Sequence, residues 1–306
     1  MTAGTPQGDQ TSTASAPMRI VVGFDDSRAS SEAVRWAARE ALRRGATLAI
    51  VSAFLPEDLF ATREESTRLM GEVAERALAE ARQAADGVVT EHQEFEDLPV
   101  PVLLREAASA DLLVVGSRGR GGFTDLLLGS VARQCVHRSP IPVAVIHGDG
   151  AHGAALSPDG ASDRSVVVGV DGSAGSLVAL RWAAEEATAI GCALAPLHVW
   201  HWPISYGWAS IPENWDPSKD ATVVLDEAVA LVRSLHPTLE ITPQVIEGWP
   251  AQVLTHHAAG AEMLVVGSRG HGELTEILIG SVSEFCVSHA PGPVVVMHGA
   301  HRSAEA

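Results

Sequence analysis

The sequence predicts an α/β fold built as two tandem open, twisted, five-stranded, mostly parallel sheets with helices on both faces. Three observations predict it: the chain repeats itself, short β-branched runs alternate with longer helix-compatible stretches, and glycine clusters follow the fourth run of each half. Val21-Val22-Gly23-Phe24-Asp25-Asp26-Ser27 returns as Val167-Val168-Gly169-Val170-Asp171-Gly172-Ser173, and residues 33–38 return at 179–184, both at an offset of 146. Later, Leu113-Val114-Val115-Gly116-Ser117-Arg118-Gly119 returns as Leu264-Val265-Val266-Gly267-Ser268-Arg269-Gly270 at an offset of 151, so the second copy gains the difference, five residues, in mid-domain.

In the first copy the strand-like runs are 19–24, 47–53, 88–93, 112–115 and 143–146. Stretches 31–44, 61–85, 100–108 and 130–138 separate them with helical spacing and composition. Strand, helix and parallel strand connect by right-handed crossovers, which places helices on both faces of the sheet. Trp36 and Trp182 fall on the first helix of each copy, where a core-packing role is expected. Residues 1–17 are small and polar with no apolar period and read as a disordered tail, and 149–164 have the composition of a linker. Domains are expected at 18–148 and 165–300.

At 306 residues and 46% apolar composition the chain can fill two ordinary cores. A formal charge of −17 repels nucleic-acid phosphates and acidic membranes, so nucleic acid is not an expected partner and any phosphate ligand must be held by local groups. No apolar run reaches the roughly 20 residues of a bilayer span, and the first residues lack signal-peptide features. A cytoplasmic protein without membrane insertion is expected. The three cysteines, Cys135, Cys192 and Cys286, are too few and too scattered for a disulfide framework. The histidines show no recurring ligand spacing, and His256 and His257, adjacent on one helix, diverge.

In an open parallel sheet the ligand site lies beyond the carboxyl ends of the strands. There the chain carries Gly116-x2-Gly119-x9-Gly129-Ser130 and, in the second copy, Gly267-x2-Gly270-x9-Gly280-Ser281. Glycines let backbone N–H groups approach a ligand closely, and the closing Gly-Ser opens a helix whose amides and dipole attract phosphate. No lysine follows the last glycine, so this is not a Walker A loop. Phosphate charge then falls to backbone amides, to Arg118 or Arg269, and to a cation such as Mg2+. Asp25 and Asp171 end the first strand of each copy, where each either bonds a ribose hydroxyl or metal or serves as a turn and cap residue beside Ser27 and Ser173.

These residues resemble the universal stress proteins, in the ATP-binding, tandem-domain branch. The carriers are Val22-Gly23-x-Asp25, Val168-Gly169-x-Asp171 and the two complete glycine signatures. The resemblance implies a Rossmann-like, adenine nucleotide alpha hydrolase-like fold. It implies ATP, with Mg2+ held in part by Asp25 and Asp171. Ala53 and Val199 become backbone contacts of adenine. Gly116, Arg118, Gly119, Gly129, Ser130 and Val131 become ribose and phosphate positions, as do Gly267, Arg269, Gly270, Gly280, Ser281 and Val282. Family members pair through their last strands, so the two copies are expected to form a pseudo-twofold pair within one chain, and whole chains to form a homodimer. The implied role is a stress-response or growth regulator acting through nucleotide-dependent conformation or partner binding. A slow ATPase or phosphotransferase and a nucleotide-independent scaffold are the alternatives.

Two departures distinguish the first copy: Asp26 stands where the second keeps Gly172, and Asp97 where it keeps Gly248. An extra carboxylate beside the pocket either weakens binding of a polyanion or strengthens binding of a cation, and unequal affinity with the second site tighter is expected. The insert lies within 200–218 and carries Trp200, Trp202, Tyr206, Trp208 and Trp215, readable as a lid, a partner surface or an apolar mini-core. Cys135 and Cys286 occupy equivalent helix positions, readable as a redox pair or as small buried residues repeated by duplication.

Overall fold

The computed structural model describes residues 18–55, 63–120, 128–148, 165–202, 216–270 and 279–298. The expected tail, the linker and residues 203–215 of the tryptophan-rich insert lie outside the described residues. The first half runs β1 (Arg19–Gly23), α1 (Arg28–Arg44), β2 (Thr47–Phe54), α2 (Arg63–Ala84), β3 (Thr90–Glu96), α3 (Pro99–Ala107), β4 (Leu112–Gly116), α4 (Ser130–Arg138) and β5 (Val143–Ile146). The second half repeats it as β6 (Ser165–Gly169), α5 (Ala174–Ile190), β7 (Ala193–Trp200), α6 (Pro217–Leu235), β8 (Gln244–Glu247), α7 (Pro250–His257), β9 (Met263–Gly267), α8 (Ser281–His289) and β10 (Val294–Met297). No helix among the described residues is long and apolar enough to cross a membrane.

Element ends follow local chemistry. Helix α1 begins before residue 31 because Ser27 caps it, its hydroxyl accepting from Ser30 N–H at 3.2 Å, and Gly45 closes it in the left-handed region at φ 61°. Strand β3 starts later than residue 88 and continues to Glu96, pairing Ser52 with Glu94 and Phe54 with Glu96. It is an edge strand, and its backbone pairing needs no apolar side chains, so no hydrophobic run marks its end.

Each half forms a parallel sheet in the order 3-2-1-4-5 or its repeat, and β5 pairs antiparallel with β10 to give one ten-stranded sheet. Val145 faces Val294 and Val143 faces Val296, all fully buried. This is the last-strand pairing that the resemblance implied, realised inside one chain. It covers two edges that would otherwise expose unpaired N–H and C=O groups along apolar strands. Alternation along the strands divides the core. Ile20 and Val22 pack with α1 and α2 on one face, while Val21 packs with α3 and α4 on the other, and the equivalent residues of the second half continue both layers. Trp36 and Trp182 are core residues, 6% and 8% exposed.

The halves are also joined through polar groups. His147, at the end of β5, is buried with its two ring nitrogens 3.1 Å from the carbonyl oxygens of Gly292 and Val287. Its counterpart His298 reaches back to the Val136 carbonyl at 2.7 Å, and burial lowers its pKa so that the neutral ring donates through Nε2. Where α1 crosses α5, the buried carboxylates Glu40 and Glu186 meet around Arg44, which bonds both, and Arg43 bonds Glu40 as well.

No disulfide forms, and Cys135 and Cys286 are fully buried. Burial pushes their thiols up to about 12 and about 11, leaving almost no reactive thiolate at neutral pH. Native protein treated with a thiol reagent is expected to label first at the half-buried Cys192, and at Cys135 and Cys286 only on unfolding. Rapid native labelling of the latter two would revive the redox pair.

Candidate nucleotide cavities

A cavity opens beyond the carboxyl ends of the inner strands in each half. The first, about 580 Å³, is floored by the ends of β1, β2 and β4 and walled by the first turns of α3 and α4. The second, about 530 Å³, lies between the ends of β6, β7 and β9 and the first turns of α7 and α8. Gly23, Asp25, Ala53, Gly116, Arg118, Gly119, Gly129, Ser130 and Val131 all line the first. Gly169, Asp171, Val199, Gly267, Arg269, Gly270, Gly280, Ser281 and Val282 all line the second. Residues far apart in each half of the sequence are thus brought to one place by the strand order.

The glycine-loop end of each cavity is organised around the strand-end acid. Asp25 Oδ1 accepts from Ser27 N–H at 3.1 Å, and Oδ2 accepts from Arg120 N–H at 3.1 Å, so one carboxylate shapes the turn and tethers the glycine loop. Asp171 Oδ1 accepts from both the N–H and the hydroxyl of Ser173, at 2.9 and 2.6 Å. The turn role and the pocket position therefore coincide, and Ser27 and Ser173 supply the helix caps themselves. The second glycine of the signature sits against this acid. A Cβ on Gly119 would lie 2.6 Å from Asp25 Oδ2, and one on Gly270 would collide with Asp171 Oδ2.

Gly129 and Gly280 are the N-caps of α4 and α8, with no side-chain cap bond. Their own N–H groups donate to the carbonyls of Ser117 and Ser268, at 2.7 and 2.6 Å, pulling each helix start onto the loop. The amides of the first helical turn have no intrahelical partner and face the cavity mouth with the positive end of the helix dipole.

Several lining residues escaped the sequence reading: Pro99 and Leu103 with their counterparts Pro250 and Leu254, Val51 with Leu197, Ser30 with Ser176, and Arg120. The Pro-x3-Leu pair is marked in the sequence, since it recurs at the same offset of 151 as the glycine loops. These residues make one end of each cavity apolar, with Leu103 and Leu254 buried against the sheet.

Asp26 takes the left-handed conformation, φ 64°, that Gly172 adopts at 86°, and Arg76 of α2 grips its carboxylate through two hydrogen bonds of 2.9 Å. The additional carboxylate is compensated by this pair. This pair offsets the first of the two departures, at Asp26, and leaves the second, at Asp97, in place.

The aromatic insert is described only at its edge. Trp200 and Trp202 meet edge to face at 5.8 Å, and His201 lies 5.0 Å from Trp249, which precedes the cavity residue Pro250.

Comparison with known proteins agrees with this architecture. The model of the universal stress protein family matches residues 17–147 and again 164–298. A universal stress protein of Mycolicibacterium smegmatis is 32% identical over 293 residues, covering 91% of this chain and 96% of that protein. One from Mycobacterium tuberculosis is 33% identical over 298 residues, covering 93% and 98%. The crystal structure of a universal stress protein from Archaeoglobus fulgidus superposes at a TM-score of 0.63 with 22% identity, over 92% of this chain and 96% of that one, a likeness of fold. With two family matches spanning most of its length, and relatives matched nearly end to end, the chain belongs to the universal stress protein family.

Proposed function

We propose that the chain binds an adenine nucleotide, ATP with Mg2+, in each cavity, and acts in the cytoplasm as a stress-response or growth regulator through nucleotide-dependent conformation or partner binding. One observation carries the reading. Each cavity joins an apolar end to an uncapped helix N-terminus and a glycine loop beside a strand-end carboxylate, which in the first half also accepts from the loop at Arg120 N–H. In this reading the backbones at Ala53 and Val199 meet the base, Asp25 and Asp171 meet ribose or metal, and the glycine loops with Ser130 and Ser281 hold phosphate. Among the described residues each cavity is lined by one carboxylate, and no group of three metal-binding side chains occurs. That donor set suits a Mg2+ ion carried by nucleotide phosphates rather than a resident metal.

Binding is favoured over turnover because, among the described residues, the acid lining each cavity is already engaged in turn hydrogen bonds, and at Asp25 in a loop hydrogen bond too. Steady hydrolysis abolished by Asp171→Ala, with binding retained, would favour the slow ATPase instead. The proposal includes a homodimer of whole chains, checked by sedimentation. Since β5 and β10 already pair with each other, that contact must use another surface.

The deciding experiment is to denature freshly purified protein and identify the nucleotide released, alongside a Gly119→Glu/Gly270→Glu double variant. Adenine nucleotide from the wild type and none from the folded variant is the expected result. Wild-type protein that is empty and ignores added ATP and Mg2+ would overturn the reading in favour of a scaffold.

A further inference from the structure

The strands that join the halves do not by themselves choose between partners. Val143, Ala144 and Val145 face Val296, Val295 and Val294, and the two runs are equivalent positions of the repeat, offset by 151. Two first halves, or two second halves, could pair the same apolar edges. The charged groups beside this seam differ, because several positions change sign or lose their charge between the copies. On one face α1 meets α5. Arg44 bonds its own Glu40 and reaches Glu186, and its guanidinium stands 5.2 Å from the Trp182 ring. Arg39 lies within electrostatic reach of Glu262 in the second half. The equivalents of Arg39, Arg43 and Arg44 on α5 are Glu185, Ala189 and Ile190, an acid and two uncharged residues. On the other face α4 approaches α8, where Glu284 is 2.7 Å from His137 Nε2 and 3.6 Å from Arg133 Nε. Arg133 and Glu284 are themselves equivalent positions, and the equivalent of His137 is Ser288.

We propose that these groups make the seam selective: each half accepts the opposite half, from its own chain or from a second copy, and rejects a copy of itself. Replacing one half by the other, position for position, shows why. A pair of second halves sets Glu284 against Glu284 and Glu185 beside Glu262, and buries two Glu186 side chains with Ile190 in place of the arginine. Those buried acids must either hold protons that water would take from them or stand ionised without a cation, and both cost stability. A pair of first halves sets Arg133 against Arg133 and gathers Arg43 and Arg44 of both copies around two Glu40 carboxylates, a surplus of cations. Like charges set against each other suppress the wrong partner, while the shared apolar edge supplies adhesion to any partner. Every assembled pair then holds one cavity of each kind, whatever the cavities bind.

The test uses the full chain with a protease site inserted between the halves and cut after folding, so that both halves stay together but are no longer tethered. Ala144→Cys/Val295→Cys serves as the reporter. These positions face each other across β5 and β10, and in a like pair each would face its own copy. The disulfide formed on refolding from denaturant under mild oxidation, located by peptide mapping, therefore names the pairing. Bonds between positions 144 and 295 are expected to exceed the two like bonds together by about tenfold or more. Adding Ile190→Arg/Glu284→Arg gives the second half the cations of the first, and the share of 144–295 bonds should fall several-fold. A random distribution of the three bonds, or one that these substitutions do not move, would overturn the proposal. Should the cut halves fail to refold, the uncut chain decides. Arg133→Glu and Glu284→Arg are each expected to lower the denaturation midpoint, and together to restore most of the loss, whereas additive losses overturn the proposal.

Discussion

Arg44→Ala is expected to destabilise the protein by about 3 kcal/mol, because removing the central cation of a buried ion cluster leaves the Glu40 charge to Arg43 alone. Arg44 bonds Glu40 of its own helix and Glu186 of the other half, and these glutamates are 1% and 2% exposed. They are equivalent positions of the repeat, facing each other across the pseudo-twofold, but Arg44 has Ile190 as its counterpart. Two acids therefore share one central arginine. Desolvation pushes the Glu40 pKa upward, but Arg44 and Arg43 outweigh it and hold Glu40 ionised. Desolvation and the neighbouring Glu40 charge push Glu186 from 4.5 to about 8, so at neutral pH it keeps its proton.

The sign of the pH dependence follows. The folded state binds a proton at Glu186 that the unfolded state has released, so this contribution to stability is complete below about pH 4.5 and is lost as pH rises to about 8. The slope approaches about 1.4 kcal/mol per pH unit within that window, a few kcal/mol in all. Glu40 acts in the opposite direction and in a lower window, its stabilisation being lost as the pH falls below the ordinary carboxylate range. Glu186→Gln should flatten the profile between the two values and gain relative stability toward alkaline pH. Denaturant titrations of both proteins across the window check this, and parallel profiles would sink it.

The second large effect is at the end of the fourth strand in each half. Gly116→Ala is expected to cost about 1–3 kcal/mol, since overpacking forces the backbone to shift. An added Cβ would stand 2.7 Å from Ala29 C and 2.8 Å from Ser30 N, both backbone atoms in the first turn of α1. At Gly267 the nearest atoms, Gly175 C and Ser176 N, lie at 2.9 and 3.1 Å, so Gly267→Ala should cost less. Displacing the start of α1 also moves Ser27 and Ser30, which hold the turn at Asp25. The Gly116 variant should therefore lose nucleotide from the first cavity while the second keeps its own. Thermal unfolding together with a count of released nucleotide tests both halves of the expectation. Unchanged stability would show that α1 can yield without strain.

This glycine illustrates how far the sequence can be read. Its place in the signature is plain, and by sequence the signature concerns ribose and phosphate or a tight turn. The structure adds a packing reason, the close approach of strand and helix, which no spacing along the chain encodes. Arg120 is a similar case: it lies next to a signature glycine, yet only the folded loop brings its N–H to Asp25.

By itself the sequence determined the duplication, the alternation of strands and helices, and the glycine signatures after the fourth strands. All of these are written in local periodicity and in the conformational demands of single residues. Tertiary structure alone decided that β5 and β10 join the halves into one sheet, that Arg76 neutralises Asp26, and that Arg44 stands between two buried glutamates. The reason is range. Hydrophobic pattern and turn chemistry act over a few residues, whereas these contacts depend on which distant groups the packed sheet brings within hydrogen-bonding distance.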